Sequence, residues 1–167
     1  MPGADRRLRL TLAGCLALAA PAAASAAPAP ETGYVWTGGE TEKGFSTLVY
    51  GSPETPEDLL FWIHCDMKKK TTEMTVYVDN PGTKVGQAIT IELSAGAAKL
   101  PVKGKIATDE MSGFLFAEAR NFKVKPVIEL LKPKGEASAK TGNVVTTLPD
   151  DGRAEAVSEF AKACKLD

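Results

Sequence analysis

Three cysteines punctuate the chain, at positions 15, 65 and 164, and the number that survive into the mature protein limits which folds it can adopt. Cys15 lies in a leader. Arg6, Arg7 and Arg9 precede the apolar stretch LTLAGCLALAA, residues 10–20, and the small residues PAAASAA follow it. A positive start, a short apolar run and a small-residue end have the pattern of a secretory signal peptide. The run falls well short of the roughly 20 apolar residues that a membrane-crossing helix needs, so no transmembrane segment is expected in the mature chain. Ala24-Ser25-Ala26 offers small residues at both positions a signal peptidase reads, and a cut after Ala26 keeps Pro28 from following the cleavage point directly.

Two other addresses compete with this one. Leu12-Ala13-Gly14-Cys15 has the lipoprotein pattern, which would leave the chain anchored at an acylated Cys15. Only five residues separate Arg9 from Cys15, whereas an apolar signal core runs to about 7 to 15. Arg6-Arg7 also opens a twin-arginine signal, but the rest of that motif is missing and the pair serves as the positive n-region. The expected address is therefore periplasmic or secreted.

Removing 26 of 167 residues leaves 141. Three arginines and one aspartate go with them, which moves the net charge from −1 to −3. Cys65 and Cys164 remain, in a compartment that oxidises thiols. An even pair there is most simply one disulfide, and no CxxC spacing argues for redox work. The loop between them spans 99 residues; closing one near that length is worth about 4.7 kcal/mol in the chain-entropy account, on the scale of a small domain's whole stability.

Residues 27–33 (APAPETG) carry Pro and Gly without periodicity and read as a flexible tether. From Tyr34 onward, residues 34–167 read as one β-rich domain. Leu59, Phe61, Ile63 and Cys65 share one face of a strand while Leu60, Trp62 and His64 share the other. A strand apolar on both faces belongs in the middle of a sheet. Further strands are expected at residues 45–51, 73–79, 88–93, 114–119 and 144–148, with a weaker one at 99–107 interrupted by Pro101 and Gly104. Asn80-Pro81-Gly82 is a turn signal. At the end, Val157, Phe160, Ala161 and Cys164 repeat with helical spacing after Pro149-Asp150-Asp151, which supplies a stop and an N-cap. A second short helix is possible at residues 126–131, where Pro suits a first turn. The fold class is mainly β: an antiparallel β-sandwich or barrel-like sheet with one C-terminal α-helix, stapled by Cys65 and Cys164.

The stretch Val49-Tyr50-Gly51-Ser52-Pro53-Glu54-Thr55-Pro56-Glu57-Asp58, followed by an apolar strand ending at Cys65, resembles a set of small exported alphaproteobacterial envelope proteins, as does the terminal helix from Phe160 to Cys164. The resemblance spans most of residues 34–164. It implies an exported all-β domain and carries over no catalytic residue.

Composition excludes several chemistries. One histidine and two mature cysteines leave little for metal sites or His-dependent nucleophiles, so neither cofactor nor metal is expected. His64 and Cys65 are neighbours on a strand and point apart. The acidic doublets Glu57-Asp58, Asp109-Glu110 and Asp150-Asp151 sit beside turn or cap signals, where acids serve structure. No phosphate-binding loop, dinucleotide fingerprint or GxSxG elbow occurs.

Two binding readings remain. Residues 66–140 carry 13 basic and 9 acidic groups, led by Lys68, Lys69 and Lys70 and joined by Lys99, Lys103, Lys105, Lys123, Lys125, Lys132 and Lys134. If they converge they attract an anionic envelope component, although lysines also keep sheet edges soluble. The near-neutral balance argues against nucleic acid. Trp36, Trp62, Phe61, Phe114, Phe116 and Phe122 line a groove for an envelope protein or ligand, or else fill the core. Trp36, flanked by Gly33 and Gly38-Gly39, is the best candidate to reach solvent. The expected role is a non-enzymatic envelope binding module; the alternative is a small periplasmic hydrolase using a carboxylate pair the sequence does not place.

Overall fold

A computed structural model describes residues 33–165; the expected leader with Cys15, the expected cleavage point at Ala26 and residues 27–32 of the expected tether lie outside them. Nine strands and two helices follow in order: β1 (Val35–Glu42), β2 (Phe45–Gly51), β3 (Leu59–Asp66), β4 (Thr71–Val76), β5 (Ala88–Ala95), β6 (Ala98–Thr108), β7 (Leu115–Arg120), α1 (Val124–Leu131), β8 (Ala137–Thr141), β9 (Val144–Leu148) and α2 (Arg153–Ala163). They form one antiparallel sheet in the order β1-β2-β3-β4-β7-β6-β5-β8-β9. The chain meanders through β1 to β4 and then skips two places to lay down β5. It returns through β6 and β7 to pair with β4, and α1 carries it back across β5 and β6 to β8.

Alternation sorts the side chains. Leu48, Tyr50, Phe61, Ile63, Cys65, Met74, Val76, Ala117 and Ile91 form the inner face and are at most 1 % exposed. The sheet curls around them like an incomplete barrel. The Trp36 indole of β1 donates to the carbonyl of Pro149, one residue past β9, at 2.9 Å, so the two edge strands approach at one end. Helix α2 covers β1 and β2. At Gly38 a Cβ would stand 2.0 Å from the carbonyl oxygen of Ala156, so only glycine lets the helix lie directly on the strand. Where α2 ends, the Cys65–Cys164 disulfide, with Cα atoms 5.8 Å apart, ties it to β3.

Most expected elements appear, with physical reasons for the differences. Residues 45–51 and 144–148 are strands as spaced, while the strand expected at 73–79 runs two residues earlier and stops at Val76. The turn at Asn80 closes with Thr83 N–H donating to the Asn80 carbonyl, Pro81 in the first central position and Gly82 at φ +79 in the second. The weak candidate at 99–107 is a continuous strand of 11 residues, the longest among those described. Ile106 exchanges backbone hydrogen bonds with Gln87 and Gly86 on the β5 side, so by alternation Pro101 turns its nitrogen the other way. There β7 pairs only with Lys105–Thr108, and the N–H that Pro101 lacks has no partner to disappoint. Helix α1 starts two residues before Pro126, which sits in the first turn, where backbone N–H groups have no intrahelical acceptor. Strand β8 was not expected: its inward residues are Ala137, Ala139 and Thr141, too small to register as an apolar alternation. The N-cap of α2 is Gly152 at φ +73 with no side-chain cap, rather than an aspartate. Asp150 instead accepts from the Arg153 guanidinium at 3.3 Å.

Candidate functional site

The sequence candidates disperse. Trp36 does not reach solvent: it is 7 % exposed and packs on Tyr50 and Phe61, with ring centres 5.1 and 5.9 Å away. Of the glycines beside it, Gly38 serves close packing against α2. Lys68, Lys69 and Lys70 form the β3–β4 turn. Asp66 accepts the backbone N–H groups of Lys68 and Lys69, both at 2.9 Å, while Lys70 takes a φ of +56. These bonds hold the Asp66 carboxyl below its ordinary value, the bond from Lys69 most strongly. The Lys68 ammonium stands 4.5 Å from the Phe45 ring centre and Lys69 pairs with Asp66 at 3.8 Å. Two of these lysines are thus engaged, Lys69 within its own hairpin and Lys68 over a ring of β2.

Trp62 is half-buried on the outer face, where two ring stacks stand on the strands. Phe45, His64 and Trp62 stack in sequence, with centres 5.6 and 5.5 Å apart. Tyr77 stacks with Phe114 and Phe116 at 4.9 and 4.8 Å. Between the stacks lies Thr75, whose register partners are Trp62 on β3 and Glu118 on β7. A short side chain ringed by long ones leaves a pit of about 260 Å³ lined by Glu57, Leu59, Trp62, Glu73, Thr75, Tyr77, Phe116 and Glu118. Glu73 and Glu118 both pair with Arg120, and Lys105 lies 3.9 Å from Glu118. The Tyr77 hydroxyl donates to Asp109 at 3.2 Å; burial, with this bond to a carboxylate, pushes its ionisation up.

A second depression opens where β6 outruns β7. Leu100, Pro101, Val102, Phe122 and Pro126 make its apolar floor, and Lys103, Arg120 and Lys123 its rim, around a volume of about 320 Å³. Lys125 shares a neighbouring recess with Lys123, Pro126 and Glu129. Among the described residues, no ion pair engages Lys103, Lys123 or Lys125, whereas Lys99 pairs with Glu92 at 3.0 Å. The basic groups that converge are therefore three of the later lysines, not the 68–70 run. Sequence spacing alone gave no reason to join Lys103 to Lys123, because that needs the β6–β7 offset.

The acidic doublets mostly serve structure. Asp109 accepts from the backbone of Met111 and Ser112 and from the Ser112 hydroxyl, and these bonds, those of Ser112 first, draw its ionisation down. Asp58 accepts from the Tyr34 hydroxyl. Glu57 alone among the doublet residues lines the outer-face pit. Among the described residues no group of three metal-binding side chains assembles, and no helix is long and apolar enough to cross a membrane. Searches of protein-family models, curated proteins and solved structures return no match to this chain.

Proposed function

We propose that this chain is exported, matures by cleavage near Ala26 into the periplasm or beyond the cell, and acts there as a non-enzymatic module that binds an anionic, partly apolar envelope component. The observation that carries the reading is the cleft between β6 and α1, where Lys103 and Lys123, free of ion pairs, rim a floor of Leu100, Val102, Phe122 and Pro126, with Lys125, also free of ion pairs, in the recess beside it. A lipid phosphate with its first methylenes matches both parts: the lysines attract the charge and the floor takes the hydrocarbon. The disulfide supports the address, since such bonds persist in oxidising compartments.

A lysine near an anionic lipid surface contributes about 1 kcal/mol, so three together amount to roughly a hundredfold in affinity. Co-sedimentation with phosphatidylglycerol vesicles should therefore show binding at about 50 mM salt that is lost at about 500 mM. Phosphatidylcholine vesicles should bind far less. Reversing charge with Lys123→Glu and Lys125→Glu should abolish the interaction, while Lys69→Glu on the hairpin should weaken it little. Absence of binding at low salt, or equal loss from both charge reversals, defeats the reading.

A further inference from the structure

We infer that the pit around Thr75 receives a small organic cation, a quaternary or alkylated ammonium group. The cleft beside α1 plays no part in this. Ring faces attract cations because their π-electrons present a negative quadrupole, and quaternary ammonium recognition by clustered aromatic side chains is the characteristic use of that attraction. The ladder already holds one such cation of its own. At its Phe45 end the Lys68 ammonium stands 4.5 Å from the ring centre. Trp62, the other end of the same ladder, lines the pit, and no cation among the described residues stands over it. Tyr77 and Phe116 supply rings from the second stack.

Charge selects the same guest. Three carboxylates, Glu57, Glu73 and Glu118, line the pit and no lysine or arginine does. Arg120 and Lys105 neutralise Glu73 and Glu118 from outside the lining, while Glu57 has no counter-ion among the described residues. An anion entering here meets acids; a neutral apolar guest leaves Glu57 uncompensated. Size narrows the choice further. About 260 Å³ falls just under the range of pockets for drug-sized ligands and suits one head group rather than a chain of subsites.

Choline is the probe, and 3,3-dimethylbutan-1-ol, which has the same shape without the charge, is its control. Titration of the oxidised protein, followed by heat and by tryptophan fluorescence, should give choline a Kd of about 1 mM, the scale for so small a ligand. The neutral analogue should bind at least about tenfold more weakly, since it forgoes the cation–ring attraction. Trp62→Leu should abolish choline binding. Glu57 stands exposed on the loop before β3, so Glu57→Gln leaves the fold intact and should weaken choline roughly threefold while leaving the alcohol unchanged. Equal affinity for alcohol and cation overturns the inference, as does choline binding indifferent to both substitutions, or no saturable heat up to about 50 mM.

Discussion

Arg153 is the largest side chain with no exposed surface, and its guanidinium is enclosed almost wholly by main-chain oxygens. It donates to the carbonyls of Leu131, Pro133, Gly135, Leu148 and Pro149 at 2.6 to 3.2 Å and to the Asp150 carboxylate at 3.3 Å. Those carbonyls belong to the end of α1, the loop after it, the last residue of β9 and the residue past it, where regular secondary structure ends. One fork of five N–H groups gathers them onto the first residue of α2. Burial lowers the arginine's ionisation and the Asp150 charge opposes that, yet a guanidinium stays protonated at any physiological pH. Arg153→Lys keeps the charge but offers three donors from a single point, so several buried carbonyls lose their partner. Urea denaturation should register a loss of about 2 kcal/mol or more, and Arg153→Met a larger one of about 3 to 5. A loss under about 0.5 kcal/mol for the methionine variant would mean that water reaches these carbonyls. Nothing in the helical spacing of residues 153–164 marks this arginine, since a periodicity argument counts it as polar. The legible hint was indirect: residues 132–136 and 149–152 hold Pro and Gly without a pattern, and buried backbone there has to find donors elsewhere.

At the element scale, the close approach of helix α2 to β1 rests on Gly38. Replacing Gly38 with alanine drives a methyl group into the Ala156 carbonyl, and neither partner is the end of a flexible chain. The helix has to lift from the strand, so Gly38→Ala should cost about 2 to 4 kcal/mol and increase amide exchange across α2 before the rest of the sheet. Two hairpin turns respond to acid instead. Asp66 caps the β3–β4 turn and Asp109 the β6–β7 turn, and backbone donors hold both carboxyls below the ordinary 3.8. A carboxyl depressed in the folded state adds stability that is fully present above its unfolded value and fades as pH falls through its folded one. Stability should therefore be flat from neutrality to about pH 5 and decline below about pH 4. Asp66→Asn and Asp109→Asn should each flatten that decline, as thermal melts across the range would show; an unchanged slope in both removes these turns as its source. Elements with large residues were legible because bulky apolar side chains alternate at period two, as Phe61 and Ile63 do in β3 and Ile89, Ile91 and Leu93 in β5. Strand β8, built on Ala and Thr, was not, because pairing with β5 holds it in the sheet rather than burial of bulky groups.

The strand order cannot be read from alternation, which says which residues face inward but not who lies beside whom. β7 inserts between β4 and β6, and from that insertion come both depressions: the Thr75 pit needs β7 next to β4, and the lysine cleft needs β7 to stop short beside β6. In the sequence Trp62 therefore stood without visible company, and Lys103 had company without a visible reason. The cysteine pair was legible because its argument is global: an even pair of thiols once Cys15 is assigned to an expected leader, and a long loop between them. With α2 anchored through Arg153 at its start and Cys164 at its end, the disulfide fixes the helix across β1 and β2 onto β3. A loop of 99 residues is the kind whose closure removes the most freedom from the unfolded chain, about 4.7 kcal/mol in the entropic account. Replacing both cysteines with serine should lower the unfolding free energy obtained from urea titration by that order, and the melting temperature by roughly 10 to 20 °C. The single variants should fall at least as far, since each also leaves a lone thiol in the interior. If the double variant loses less than about 1 kcal/mol, the staple constrains a chain already compact when unfolded. The fold would then have no need of an oxidising compartment, and the proposal of export would rest on the sequence pattern of residues 1–27 alone.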